Sequence, residues 1–269
     1  MRELPETSIE SGRDAAYPAP DFDVREFART AHGSFRSDLE LGLFREAPLS
    51  SDTLRALAYL QVIERATMTH LRSVLVTATH KDARITAFLV TWAYEKYWIA
   101  DALQQILLAH QPEGATSDAV FRTPVERTIR ESIVANIIGV PMIAVHMSLG
   151  TVDEWLTQTA YARLSAVENR PELTVVTDQF RQVKARQLEF FEAQARFRLT
   201  ESPRARSLTR RRLAKTPWPI GAKAEPEAET RFFFDYLFDS REVVDDLDSR
   251  IDSLPGQSGL GLIRKATRR

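Results

Sequence analysis

Two stretches decide the fold: Trp92-Ala93-Tyr94-Glu95-Lys96-Tyr97-Trp98-Ile99 and Val183-Lys184-Ala185-Arg186-Gln187-Leu188-Glu189-Phe190-Phe191. Each reads as one side of a strongly apolar helix with a lysine set into it. The chain holds 30 arginines against six lysines, so lysine at these two places is not background. Around them the pattern is helical throughout. Ser50-Ser51-Asp52 is an N-cap cluster, followed by Leu54, Leu57, Ala58, Val62, Ala66 and Leu71 at helical spacing. A second helix is expected from near Asp82 to about His110, ended by Gln111-Pro112-Glu113-Gly114. Residues 124–148 look helical, with Gly139-Val140-Pro141 expected to kink or break them. A third main helix is expected from Gly150 to about Val167 and a fourth from about Leu173 to Leu199, joined at Asn169-Arg170-Pro171-Glu172.

Long helices with short joints and no strand alternation predict an all-α fold. Residues 1–49 read as an N-terminal arm broken by Pro5, Pro18, Pro20 and Pro48. Residues 50–200 read as a helical bundle, and 201–269 as a C-terminal extension packing on it. The chain has no cysteine, which excludes disulfides, Cys-ligated zinc, iron–sulfur clusters and thiol nucleophiles. Its net charge of −1 offers no global case for nucleic acid. Residues 196–215 are basic and 235–252 acidic, so these stretches are expected to be solvated or to pair with each other. No signal-peptide core and no membrane-length apolar run is evident, and a cytoplasmic location is expected.

The four main helices offer Glu64, Lys96, Glu154 and Lys184 in order. Glu64 and Lys96 are 32 residues apart and Glu154 and Lys184 are 30 apart, which suggests an internal pseudo-repeat. Carboxylate-bridged di-iron bundles take one Glu from each of two helices and Glu-x-x-His from each of the other two. Here the segment from Trp92 to Leu103 resembles the W-A-Y-E-E-x-W-H-G-x-A-L segment of a bacterial ferritin-like family, broadly similar to acyl-carrier-protein desaturases. Lys184-Ala185-Arg186-Gln187 with Phe190 to Arg196 resembles its E-A-R-H-F-x-F-Y-x-x-Q-A-R segment, and Glu154 to Tyr161 its E-x-T-T-x-x-x-Y helix. The likeness covers roughly residues 50–220 and implies a ferritin-like four-helix bundle with additional N- and C-terminal helical segments. The departures fall on the ligands: Glu→Lys at 96, His→Ile at 99, Glu→Lys at 184 and His→Gln at 187.

The exchange balances charge, because two ammonium groups with two carboxylates are as neutral as two divalent cations with four. The expectation is therefore a degenerate di-iron site, free of metal and cofactor, built on Glu–Lys pairs. The leading functional expectation is an apolar pocket that binds a small hydrophobic molecule, with Lys96, Lys184, Glu64 and Glu154 as acid–base groups. Thr67, Trp92, Ile99, Thr157, Tyr161, Gln187 and Phe191 would line it. A cofactor-independent cyclase, isomerase or lyase of specialised metabolism would use such groups. The alternatives are a non-catalytic pseudoenzyme or partner of a metal-containing paralogue, and a di-metal oxidase with unorthodox ligands. For single residues, lysine snorkelling, an acidic pair Glu189/Glu192 facing arginines and a core or rim role for His70 stand beside the functional readings. No nucleic-acid or membrane partner is expected, and a homodimer is left open.

Overall fold

The computed structural model describes residues 21–111, 139 and 141–268. Every regular element among them is helical. Two short helices, α1 (Val24–Arg29) and α2 (Leu41–Glu46), precede four long ones: α3 (Ser51–Leu75), α4 (Ala83–Ala109), α5 (Pro141–Glu168) and α6 (Pro171–Glu201). Four more follow, α7 (Pro203–Lys215), α8 (Glu227–Leu237), α9 (Arg241–Asp252) and α10 (Leu262–Ala266).

Local chemistry sets the ends of the long helices. The Ser50 hydroxyl accepts from the Thr53 amide at 3.2 Å, and the Asp82 carboxylate accepts from the Ile85 amide at 3.0 Å. Each satisfies a first-turn donor that the helix itself leaves unpaired. Between α5 and α6 the chain reverses at Asn169, whose φ of 53° is left-handed, and Pro171 opens the next helix. The short joints make α3/α4 and α5/α6 two hairpins, and these pack on each other through α3 against α5 and α4 against α6.

One expected boundary is corrected by the structure. Gly139 has a left-handed φ of 72° and Pro141 opens α5, which runs unbroken through Gly150 to Glu168 and so begins nine residues before the expected Gly150 start. Proline is tolerated in the first turn, where its missing N–H would have no partner anyway. The expected helix over residues 124–138 lies outside the described residues. Gly150 sits mid-helix for a packing reason: a Cβ there would lie 2.4 Å from the Phe191 ring. From Met142 to Thr157 only His146 of α5 is not buried, so this helix is enclosed on nearly all sides.

The buried apolar residues fall into two clusters. On α3, Ile63 belongs to the larger and Leu71 to the smaller, with Glu64 and Thr67 between them. The same alternation recurs at Ile99 and Ala93 about Lys96, and at Val183 and Phe190 about Lys184 and Gln187. A polar layer thus crosses the core.

Outer segments close over the long helices. Phe27 stacks on Phe88 at 5.1 Å between ring centroids, while α7 packs against α5 and α8 against α3. The basic and acidic stretches of the C-terminal part are largely solvated, with Arg204, Arg211, Arg212, Lys215, Asp235 and Glu242 exposed, and their bonds run mostly elsewhere than to each other. Arg196, Arg206 and Arg210 donate to backbone carbonyls of Ser253, Leu199 and Ser258, while Asp239 pairs with Arg163 and Asp245 with Arg264. No helix among the described residues is long and apolar enough to cross a membrane.

The α5/α6 contact makes a test at Gly150. Alanine gains about 1 kcal/mol of helix propensity, but overpacking a buried ring costs about 1–3 kcal/mol. Gly150→Ala is expected to lower stability in a urea titration, with part of the loss recovered by adding Phe191→Leu. A stability gain from the single change would mean that the helices have room to separate.

Candidate functional site

Each long helix delivers one charged side chain to the middle of the polar layer: Glu64 from α3, Lys96 from α4, Glu154 from α5 and Lys184 from α6. All four side chains are fully buried, which overturns the snorkelling alternative for the lysines. The Lys96 Nζ lies 2.7 Å from Glu64 Oε2 and 3.2 Å from Glu154 Oε1. The Lys184 Nζ lies 3.0 Å from Glu64 Oε1 and 2.9 Å from Glu154 Oε2. Each ammonium therefore bridges both carboxylates, and the ring of four closes on itself. Tyr161 donates to Glu64 Oε1 at 3.0 Å and the Trp92 indole donates to Glu154 Oε1 at 2.9 Å.

The two lysines are held differently. Lys184 faces the two glutamates alone. Lys96 faces a third acid as well, because Asp153 Oδ2 is 3.7 Å away. Burial alone would lower the Lys96 pKa, but Glu154, Glu64 and Asp153 raise it well above the ordinary lysine value. Burial pushes Glu64 up, yet the Lys184 and Lys96 ammoniums prevail and bring it down to about 2. The Tyr161 hydroxyl is pushed well above the usual phenol range by burial and by the adjacent Glu64.

Asp153 and Glu95 are the two acids the sequence reading missed. Asp153 accepts from the Ile220 amide at 2.8 Å, joining the quartet to a loop of the C-terminal segment. Burial raises its carboxyl to about 6 despite Lys96 nearby. Glu95, fully buried beside Lys96 in sequence, points into a second cluster. It accepts from the His32 amide at 2.9 Å, Arg186 at 2.7 Å and the Gln187 amide at 2.7 Å, and burial raises its pKa. Both acids adjoin an expected site residue in an apolar helix. Adjacent acids on one helix point about 100° apart, so only a helix covered on several faces buries both.

Among the expected lining residues, Trp92 and Tyr161 reach the quartet directly. Gln187 is engaged by Glu95, and the Thr157 hydroxyl donates to the Asp153 backbone carbonyl at 2.8 Å. Ile99 is buried in the larger apolar cluster, Phe191 packs edge-on to Trp92 and Phe88, and Thr67 is buried one turn beyond Glu64 on α3. Glu192 pairs with Arg196 at 2.7 Å, Glu189 is exposed, and His70 lies edge-on to Trp92 at the rim. One cleft of about 280 Å³ lies between α7, α8 and α10, and another of about 380 Å³ between α5, α6 and α9. No residue of the quartet lines either. Among the described residues no group of three or more His, Asp or Glu is arranged to hold a metal ion. Comparison with protein-family models, curated proteins and solved structures finds no match to this chain.

Two measurements test this geometry. Lys96→Met leaves buried carboxylate charge unmatched and is expected to cost about 3–5 kcal/mol in a denaturant titration, with much of the loss recovered by adding Glu64→Gln. A neutral Lys96→Met would refute the closed quartet.

The second concerns pH. Asp153 is raised from 3.8 to about 6, so its contribution is fully present below pH 3.8 and is lost as pH rises through 6. That loss is on the order of 3 kcal/mol. Glu64 acts in the opposite sense: its contribution is present above 4.5 and is lost as pH falls toward 2. Asp153→Asn is expected to reduce the decline in melting temperature between pH 4 and 7, leaving the part due to the buried Glu95 and the acid limb in place. An unchanged profile in that variant would show that Asp153 does not retain its proton.

Proposed function

We propose that this chain is a metal-free ferritin-like four-helix protein in which the Glu64–Lys96–Glu154–Lys184 quartet stands where a dinuclear centre would be. In this reading the quartet is a structural core, and the protein acts by binding rather than by chemistry at its centre. The observation that carries the reading is the closure of the ring. Both ammoniums are fully buried and each is engaged by both glutamates, so neither amine is left over to meet a substrate.

The electrostatics support the same view. Ammonium groups at 96 and 184 supply the positive charge that metal ions would bring, and they remove two carboxylate donors at once. Isoleucine at 99 and glutamine at 187 remove both imidazoles of the motif the chain resembles. Glu64 and Glu154, which would be the retained ligands, are the two anions the lysines neutralise.

An acid–base enzyme acting on a small hydrophobic molecule is the second reading, and Asp153 is the observation that favours it. This third acid lies 3.7 Å from Lys96 and has a pKa near 6, suited to proton transfer near neutrality. The acid–base reading requires a chamber that opens onto Lys96. A closed ring of four opposite charges disfavours such an opening, because each group pulled from its partners would remain buried and unmatched.

Restoring the motif tests the proposal. The variant Lys96→Glu, Ile99→His, Lys184→Glu, Gln187→His is expected to fold with iron or manganese present and to take up close to two metal ions per chain by elemental analysis. A folded variant that takes up no metal would overturn the view that the quartet stands in the place of a metal centre.

A further inference from the structure

The cleft between α7, α8 and α10 is remote from the quartet in composition but tied to it in structure. Its apolar walls come from Leu213, Trp218, Phe234 and Leu262, all buried side chains. Its mouth is cationic: Lys223, Arg231 and Lys265 stand around it, with Glu225 and Glu227 opposing them. The two acids offset this charge only in part, since they stand against three cations. Glu227 is largely exposed and comes no nearer than 3.8 Å to Arg231, and Lys223 has no ion-pair or hydrogen-bond partner among the described residues. Lys265 is steadied by the Leu260 carbonyl at 2.7 Å, a contact that uses one of its three N–H donors.

The walls are held by the long helices. On one side, the loop bearing Trp218 and Ala222 is anchored by the Ile220 amide donating to Asp153 at 2.8 Å. Gly221 lies so close to α3 that a Cβ would sit 2.8 Å from the Ala66 Cβ, and its φ of 99° suits glycine alone. On the other side, Thr230 of α8 is within hydrogen-bond distance of the Tyr59 hydroxyl, at 3.0 Å. A cleft whose opposite walls are both fixed to the core is largely formed before a ligand arrives, which reduces the ordering cost of binding.

We propose that this cleft binds an apolar monocarboxylate, with its acyl or aryl body against the apolar lining around Trp218, Pro217 and Ala266 and its carboxylate at Lys223 and Lys265. The volume of about 280 Å³ is at the small end of ligand sites, which fits a body of roughly ten to fifteen non-hydrogen atoms. Aromatic walls accept either a flat ring system or an alkyl chain. Charge complementarity selects an acid over the corresponding alcohol. The site is independent of the proposed role of the quartet, since no residue of the quartet lines it.

The test uses the full chain with naphthalene-2-carboxylate and decanoate as probes, read by calorimetry and by tryptophan fluorescence. At least one probe is expected to bind saturably with one-to-one stoichiometry, and the neutral 2-naphthol or decanol about tenfold more weakly. Ala266→Trp, which fills the cleft from its edge, is expected to abolish binding. Lys223→Glu, at an exposed position that leaves the fold intact, is expected to weaken the acid several-fold and the alcohol hardly at all. Which probe binds tells whether the body is aryl or acyl. Absence of saturable binding by both acids overturns the proposal, as does binding that survives Ala266→Trp in a folded variant or is indifferent to Lys223→Glu. A metal-restored quadruple variant that still binds the probe would separate this site from the fate of the quartet reading.

Discussion

Charge neutrality in an interior closed to solvent is the constraint from which the arrangement of the long helices follows. Two ammoniums and two carboxylates meet with every side chain fully buried, and each helix supplies one of the four. A charge in that environment costs several kcal/mol unless an opposite charge is in contact. Sliding any one helix by a turn, about 5.4 Å, would strand its group and leave its partners unmatched. The quartet thus specifies register, which apolar side chains alone specify poorly because many packings of similar volume are tolerated.

A polar layer also divides the core in two. The apolar clusters on either side of it are each extended by outer segments, α1 with Phe27 on one and the C-terminal helices on the other. The same layer reaches those segments through its two extra acids. Glu95 takes the His32 amide of the N-terminal arm together with Arg186, and Asp153 takes the Ile220 amide of the C-terminal loop. The centre therefore does more than hold four helices together, since arm and extension both hydrogen-bond to acids adjacent in sequence to quartet residues.

Asp153 gives the centre its asymmetry. Three carboxyls and two lysines leave a net negative interior when all are ionised, and the raised pKa of Asp153 relieves that excess as pH falls below about 6. Since the same carboxyl anchors the loop that walls the C-terminal cleft, the electrostatics of the core and the shape of that cleft share one residue.

The helical periodicity, the caps at Ser50 and Asp82, the turn at Asn169-Arg170-Pro171 and the four charges at 64, 96, 154 and 184 were all legible in the linear chain. These depend on local propensity and on spacing along a single helix. The all-α class followed from the same signals. The start of the third long helix was placed nine residues late, at Gly150, because glycine reads as a boundary and only the tertiary packing against Phe191 shows it to be mid-helix. Asp153 and Glu95 were missed because a residue beside a core position normally faces solvent. They are buried here because other segments cover that face of α5 and α4. That the four charges close into a ring, rather than forming two separate pairs, was also beyond the sequence. Spacing places a group on a helix face, but the distance between faces is set by how the two hairpins pack.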